Sequence, residues 1–327
     1  MAQVQCPVEI ATMDRAKKIA GQVTAAPVAG TAADAIYVDP RSAHAYVNPA
    51  TRFDPVPERY SQQEWGLRCQ LAVAYRIAAH YDWDQLVFNH ITVKVPGSET
   101  LEHGPHFLIN PFGLHFREVT ASSLLKVGIN GTIIDPGTGA GPLFMQGFVV
   151  HSAVHAHRED LHCVWHCHHP DTTAISMQKC GLLMLSQESL AFAGGRLSYH
   201  PFEGTAVDLG ERERIAKSLG PVNKAVMLEN HGPVTGGTNV EEAFVLMYLL
   251  TRACTYQQRA MAAAGGDLSR LITHTEEKVI AMSQREVTAR TDDAPEEVKP
   301  DYDTPHLMFR AAVRLIEDRD GADRIYC

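Results

Sequence analysis

Val164-Trp165-His166-Cys167-His168-His169-Pro170-Asp171 is the stretch around which the chain is organised. The residues leading into it, from Leu161 to Trp165, are apolar and predict a buried strand. Side chains on a strand alternate between its faces. Val164, His166 and His168 therefore share one face, and Cys163, Trp165 and Cys167 share the other. Two imidazoles about 7 Å apart along a face, from the strand rise per residue, can converge on one ion. Pro170 has no N–H to continue a ladder, so the strand is expected to stop where the pair is presented. An isolated His-x-His is common on exposed strands, so a metal site needs a third ligand.

That ligand is expected at His231. Lys224 to Leu228 is an apolar strand ending at Glu229-Asn230-His231-Gly232-Pro233, where a Gly-Pro turn leaves the histidine little local packing. A helix over Phe148–His157 carries His151 and His155 at i, i+4. The spacing matches H-E-x-x-H, but Ser152 stands where the glutamate belongs, so these two are read as packing or hydrogen-bonding residues. The glycine-rich 136–142 stretch lacks the lysine of a phosphate-binding P-loop.

Elsewhere the pattern predicts a helix over 62–81, with Leu67, Leu71, Ala74 and Ala78 as its buried stripe. Leu86 to Val95 reads as a strand and Phe107-Leu108-Ile109 as another. Thr120 is an expected N-cap for a short helix through Lys126. Asn130-Gly131 predicts a hairpin joining Leu125–Ile129 to Thr132–Asp135. Met184-Leu185-Ser186, Gly194-Gly195 and a His200-Pro201 turn follow, then a charged helix from Glu211 to Leu219. Thr238 with Glu241 forms an expected capping box for a long helix that Gly265-Gly266 ends. A further helix, a polar linker and a final amphipathic helix from Pro305 to Glu317 complete the chain. The organisation read from this is an irregular N-terminal arm (1–60), a main domain (61–270) and a C-terminal helical extension (271–327).

The 327 residues, 45% hydrophobic and 20% charged, have the composition of a globular protein. A net charge of -9 argues against nucleic acid as a partner, since phosphate binding needs a basic surface. No stretch approaches the roughly 18 apolar residues of a membrane helix, and the N-terminus lacks the pattern of a secretory signal. Seven scattered cysteines suit reduced thiols, hence a cytoplasmic protein without membrane contact.

His166-x-His168 with Pro170, followed by Asn230-His231-Gly232, resembles the class II aldolase/adducin family, its adducin-like bacterial branch most closely. LRCQLAVAYRIAAHYDW, NHIT, PFG, EVTASSLLKV, QGFVVHSAVHA, KCGLL, NHGPV and EEAF carry the resemblance in order, over residues 65–266. It implies an α/β fold, a three-layer α/β/α arrangement around a central, largely antiparallel mixed sheet, in a homotetramer. It also implies that His166, His168 and His231 bind a divalent metal, Zn2+ first and Fe2+ or Mn2+ as alternatives. Where the sugar-phosphate aldolases of that family carry a Ser-Ser-Glu run for phosphate and proton transfer, ungapped counting finds Met145, Gln146 and Gly147. The family's phosphate loop survives as Asn89-His90-Ile91-Thr92.

The expected function is a metal-dependent lyase, aldol-type or decarboxylating, acting on a small oxygenated substrate without phosphate. Three neutral histidines leave metal positions open for such a substrate. His169 and Glu229 are the candidate proton-transfer residues. Asn89, His90, Thr92 and Gln146 are the candidate substrate contacts. Two alternatives remain: an Fe(II)-dependent oxygenase acting on a 2-oxo acid, and a non-catalytic adducin-like interaction protein.

Overall fold

The computed structural model describes residues 56–139, 141–204, 209–288 and 303–327. Most of the expected N-terminal arm lies outside them. Eight strands form one sheet in the order β4-β3-β2-β1-β5-β8-β7-β6. These are β1 His90–Lys94, β2 His106–Ile109, β3 Leu125–Gly128, β4 Ile133–Asp135, β5 Cys163–His166, β6 Leu197–His200, β7 Ala225–Leu228 and β8 Gly232–Gly237. Every neighbouring pair is antiparallel except β6 with β7.

Helices cover both faces. On one lie α1 (Gln62–His80), α5 (Val240–Ala263) and α7 (Thr304–Asp320), packed over Cys163, Trp165, Ile91 and Val93. On the other lie α2 (Met145–His157) and α4 (Leu209–Leu219), packed over Val164, Val226 and Val234. The fold is thus a three-layer α/β/α arrangement around a largely antiparallel sheet. Short α3 (Pro170–Ser176), α6 (Glu276–Thr288) and α8 (Ala322–Ile325) complete the described helices. None of them is long and apolar enough to cross a membrane.

Strand alternation in β5 decides which residues meet which layer. Trp165 and Cys167 enter the α1/α5 core, while Val164 enters the α2/α4 core. Phe309, Val313 and Ile316 of α7 join the α1/α5 core, so the chain's last long helix is packed into the main body. Arg68 of α1, fully buried, ties that layer to the β3–β4 hairpin. Its guanidinium donates to Glu64 (3.0 Å), Asp135 (2.9 Å) and the Leu124 carbonyl (2.8 Å).

Four local expectations change. The strand over 86–95 begins only at His90, because Leu86 is left-handed (φ 56°) and Phe88 closes a turn onto Gln85. No helix follows Thr120: Thr120 and Ser123 exchange side-chain hydrogen bonds in a tight turn, and Leu125 pairs with Ile109 as a strand. Pairing with β2 outweighs a weak helical preference there. Leu197–His200 is a strand where only a turn was read, held by parallel pairing to β7. The cap of α5 lies one residue later, with Asn239 accepting from the Glu242 N–H at 2.8 Å.

Candidate metal centre and active site

His166 ends β5 in the middle of the sheet, paired with His90 of β1 on one side and Val234 of β8 on the other. His168 lies two residues on, before Pro170 opens α3 at its first position. His231 comes from the loop between β7 and β8, where Asn230 adopts the left-handed conformation (φ 56°) that asparagine tolerates. The Asn230 N–H donates to the Ser176 carbonyl, and the Thr173 hydroxyl donates to the carbonyl of His231. Helix α3 thereby fixes the loop against the strand end. The three rings converge, with centroids 4.7–4.8 Å apart and a ligand nitrogen of each within 4.8 Å of the others.

The hydrogen bonds at the back of two rings determine what they present in front. The Pro233 carbonyl, 2.9 Å from His166 Nδ1, can only accept, so the neutral ring carries its hydrogen there. Gln85 Oε1 holds the Nδ1 of His168 in the same way at 2.6 Å. Both Nε2 atoms are then lone pairs, and they face each other at 2.9 Å. Two acceptors at that distance repel unless a cation lies between them, and carbonyl-backed imidazoles are the usual outer support of a metal ligand. The residues fit a divalent ion. Burial, together with the neighbouring imidazoles, holds His166 well below the ordinary histidine range and His168 down to about 4, so both are lone-pair donors near neutrality.

Beside the triad lies a second set of histidines. The His90 ring stacks on His166 at 5.2 Å. Its Nδ1 is 2.6 Å from His151 Nε2; His151 Nδ1 is 2.6 Å from Thr92 Oγ1, which is 2.8 Å from His155 Nε2. His155 Nδ1 donates to the Leu161 carbonyl at 3.1 Å. His151 and His155 are therefore hydrogen-bonding residues, as read from Ser152. Burial lowers all three histidines, His155 to about 3.

Gly147 is explained by the same cluster. Any Cβ there would overlap His90 Nε2, so the position read as a lost carboxylate is the space that the His90 ring uses. Gln146, its neighbour, is exposed on the first turn of α2. Asn89 is buried, and neither atom of its amide has a protein partner among the described residues. Glu229 lines a small cleft together with His231, His200, Glu203 and Glu211. His200, Glu203 and Glu211 also group their ligand atoms, although Arg214 already holds both oxygens of Glu203. His169 faces elsewhere: the charges acting on its ring are those of Asp171, Asp82 and Arg252.

Gln85 escaped the sequence reading altogether, lying just before the strand expected from Leu86. Phe88, Phe112 and Phe144 also form an unforeseen aromatic group next to His90, with the Phe112 and Phe144 rings stacked at 4.6 Å.

Residues 69–258 match the family described as Class II Aldolase and Adducin N-terminal domain, and the chain belongs to that family. It is similar to an aldolase II superfamily protein from Pseudomonas syringae, 40% identical with a TM-score of 0.69, over 81% of this chain and 97% of that one. L-fuculose 1-phosphate aldolase from Glaciozyma antarctica PI12 is 28% identical with a TM-score of 0.63, over 83% and 97%. Alpha-adducin of Rattus norvegicus is 45% identical over 63% of this chain, which spans only 27% of that protein's length.

Proposed function

We propose that the protein is a divalent-metal-dependent carbon–carbon lyase, aldol-type or decarboxylating, acting on a small oxygenated substrate without phosphate. The observation that carries this reading is the pair of imidazole lone pairs facing each other at 2.9 Å, with His231 closing the third side. His166, His168 and His231 would hold the ion, Zn2+ in the first instance. When bound, it supplies a Lewis acid that polarises a substrate carbonyl. The unpartnered Asn89 amide suits a substrate oxygen, and Gln146 and the aromatic group border the approach. Met145, Gln146 and Gly147 offer neither a cationic nor a hydroxyl group to a phosphate, which supports a substrate lacking one. Of the two expected proton-transfer residues, Glu229 lies on the His231 cleft and His169 does not line it. The same reading has the chain acting in the cytoplasm as a homotetramer.

The likeness to alpha-adducin favours a second reading, a non-catalytic interaction module on the same fold. Elemental analysis of protein purified without chelator separates the two, followed by a cleavage screen of hydroxy-oxo acids. The expected result is stoichiometric zinc, lost in His166→Ala, His168→Ala and His231→Ala and retained in His151→Ala. Stoichiometric iron with dioxygen uptake would move the assignment to an oxygenase. Absence of metal, with none taken up on addition, would leave the interaction module.

A further inference from the structure

We infer that His90 is the proton acceptor of this site, and that Thr92, His151 and His155 are positioning residues that dictate its tautomer. The inference rests on the metal-site reading only for where the substrate lies. The tautomer follows from the hydrogen-bonded string itself.

The string starts at a backbone carbonyl, which can only accept. His155 must therefore carry its hydrogen on Nδ1, 3.1 Å from the Leu161 oxygen. The ring is neutral: it is buried, and the neighbouring Lys94 and His162 both disfavour a charge on it. Its Nε2 is then a lone pair, and the Thr92 hydroxyl must donate to it across 2.8 Å. That commits the only hydrogen Thr92 has, so Oγ1 accepts from His151 Nδ1 at 2.6 Å. His151 Nε2 becomes a lone pair in turn and accepts from His90 Nδ1 at 2.6 Å. Reversing any single link sets a lone pair against a lone pair. His90 is left with one free nitrogen, Nε2, as an acceptor.

That nitrogen lies beside Gly147, the position that ungapped counting gives to the family's carboxylate. It has no hydrogen-bond partner among the described residues, its ring lies on the ligand His166, and Gly147 of α2 leaves room for it. In an aldol-type cleavage, Nε2 takes the proton of the substrate hydroxyl. The O–H electron pair forms the new carbonyl, the carbon–carbon bond breaks, and its pair moves onto the carbon next to the polarised carbonyl. The proton is returned to that carbon. While His90 carries the proton, its Nδ1–H bond to His151 becomes charge-assisted, which stabilises the ring at the moment it is needed.

Histidine-selective ¹⁵N spectra of the zinc-loaded protein test this, with His90→Asn used for assignment. The expected spectrum shows a lone-pair Nε2 and a protonated Nδ1 on His90, in the wild type and in Thr92→Ser. Thr92→Val, which keeps the shape and removes the hydroxyl, should show His90 as a mixture of tautomers with its metal content unchanged. For a substrate found in the screen, His90→Asn should lower kcat by about 100-fold or more while the metal stays bound. A protonated or metal-shifted Nε2 in the wild type would overturn the inference, as would a Thr92→Val protein with the wild-type tautomer. If Thr92→Val does not fold, the wild-type spectrum alone decides. Failure of the metal reading would appear separately, as metal-free protein whose His90 tautomer is still fixed.

Discussion

His166, His168 and His231 meet lone pair to lone pair, whereas His90, His151 and His155 meet donor to acceptor through Thr92. The two groups touch, since His90 stacks on His166. Yet the links of one are all satisfied within the protein, and the facing lone pairs of the other are satisfied only by something added to them. A buried imidazole is therefore assigned by where its second nitrogen points. The string contributes to folding, and the triad keeps a cost in the fold that a bound cation would offset.

The sharpest way to break this comparison is to remove one group from each side. Thr92→Val strands the His151 Nδ1–H and the His155 Nε2 inside the core, at about 1–3 kcal/mol per stranded group. Denaturant unfolding should record about 2–6 kcal/mol of lost stability, on the same principle, with the metal site intact. His168→Ala should do the reverse. It abolishes metal binding and leaves the unfolding free energy of the metal-free protein within about 1 kcal/mol, because an unfavourable contact goes with it. If both variants lose similar stability and both keep their metal, the two groups are not distinct.

A finer test concerns what backs the triad. Gln85 Oε1 is the acceptor that keeps the hydrogen of His168 on Nδ1. Loss of such an outer partner typically lowers metal affinity about 10–100-fold. Gln85→Ala should do so in a competition titration against a chromophoric chelator, with the fold unchanged. An unaltered affinity would mean that His168 is oriented by its place before α3.

Gln85 also shows where sequence reading stops. His166, His168 and His231 were legible because strand alternation and the Gly-Pro turn act over a few residues, as was the Asn130-Gly131 hairpin. The faces of β5 came out as the alternation requires, with Trp165 and Val164 in opposite cores. Gln85 was hidden because the left-handed Leu86 and the turn from Gln85 to Phe88 lie where the sequence reads as the start of a strand. β6 was hidden because its pairing with β7 is parallel and set by tertiary structure. Gly147 was read as an absence. Its meaning lies in a ring from β1, and no local pattern connects residues so far apart. His90 itself was marked only as part of a substrate loop, since a tautomer is decided by a chain of partners that the fold alone assembles.

The mildest test uses acid. Burial holds the folded-state pKa of His155 at about 3, below the ordinary value of about 6.5 that the unfolded chain regains. Above about pH 6.5 the ring is neutral in both states, and the string contributes in full. As the pH falls below that value, the unfolded chain binds a proton that the folded protein refuses, so stability declines. The decline continues until the folded ring protonates near pH 3. One such group gives a slope of about 1.4 kcal/mol per pH unit. Urea unfolding of the wild type against His155→Gln, from near neutrality downwards, should therefore show the wild-type advantage shrinking at about that rate. The slope should be the same with and without chelator, because no member of the string is a metal ligand. A slope that vanishes when metal is removed would join the two groups into one site, with His155 reporting on the ion through Thr92, His151 and His90.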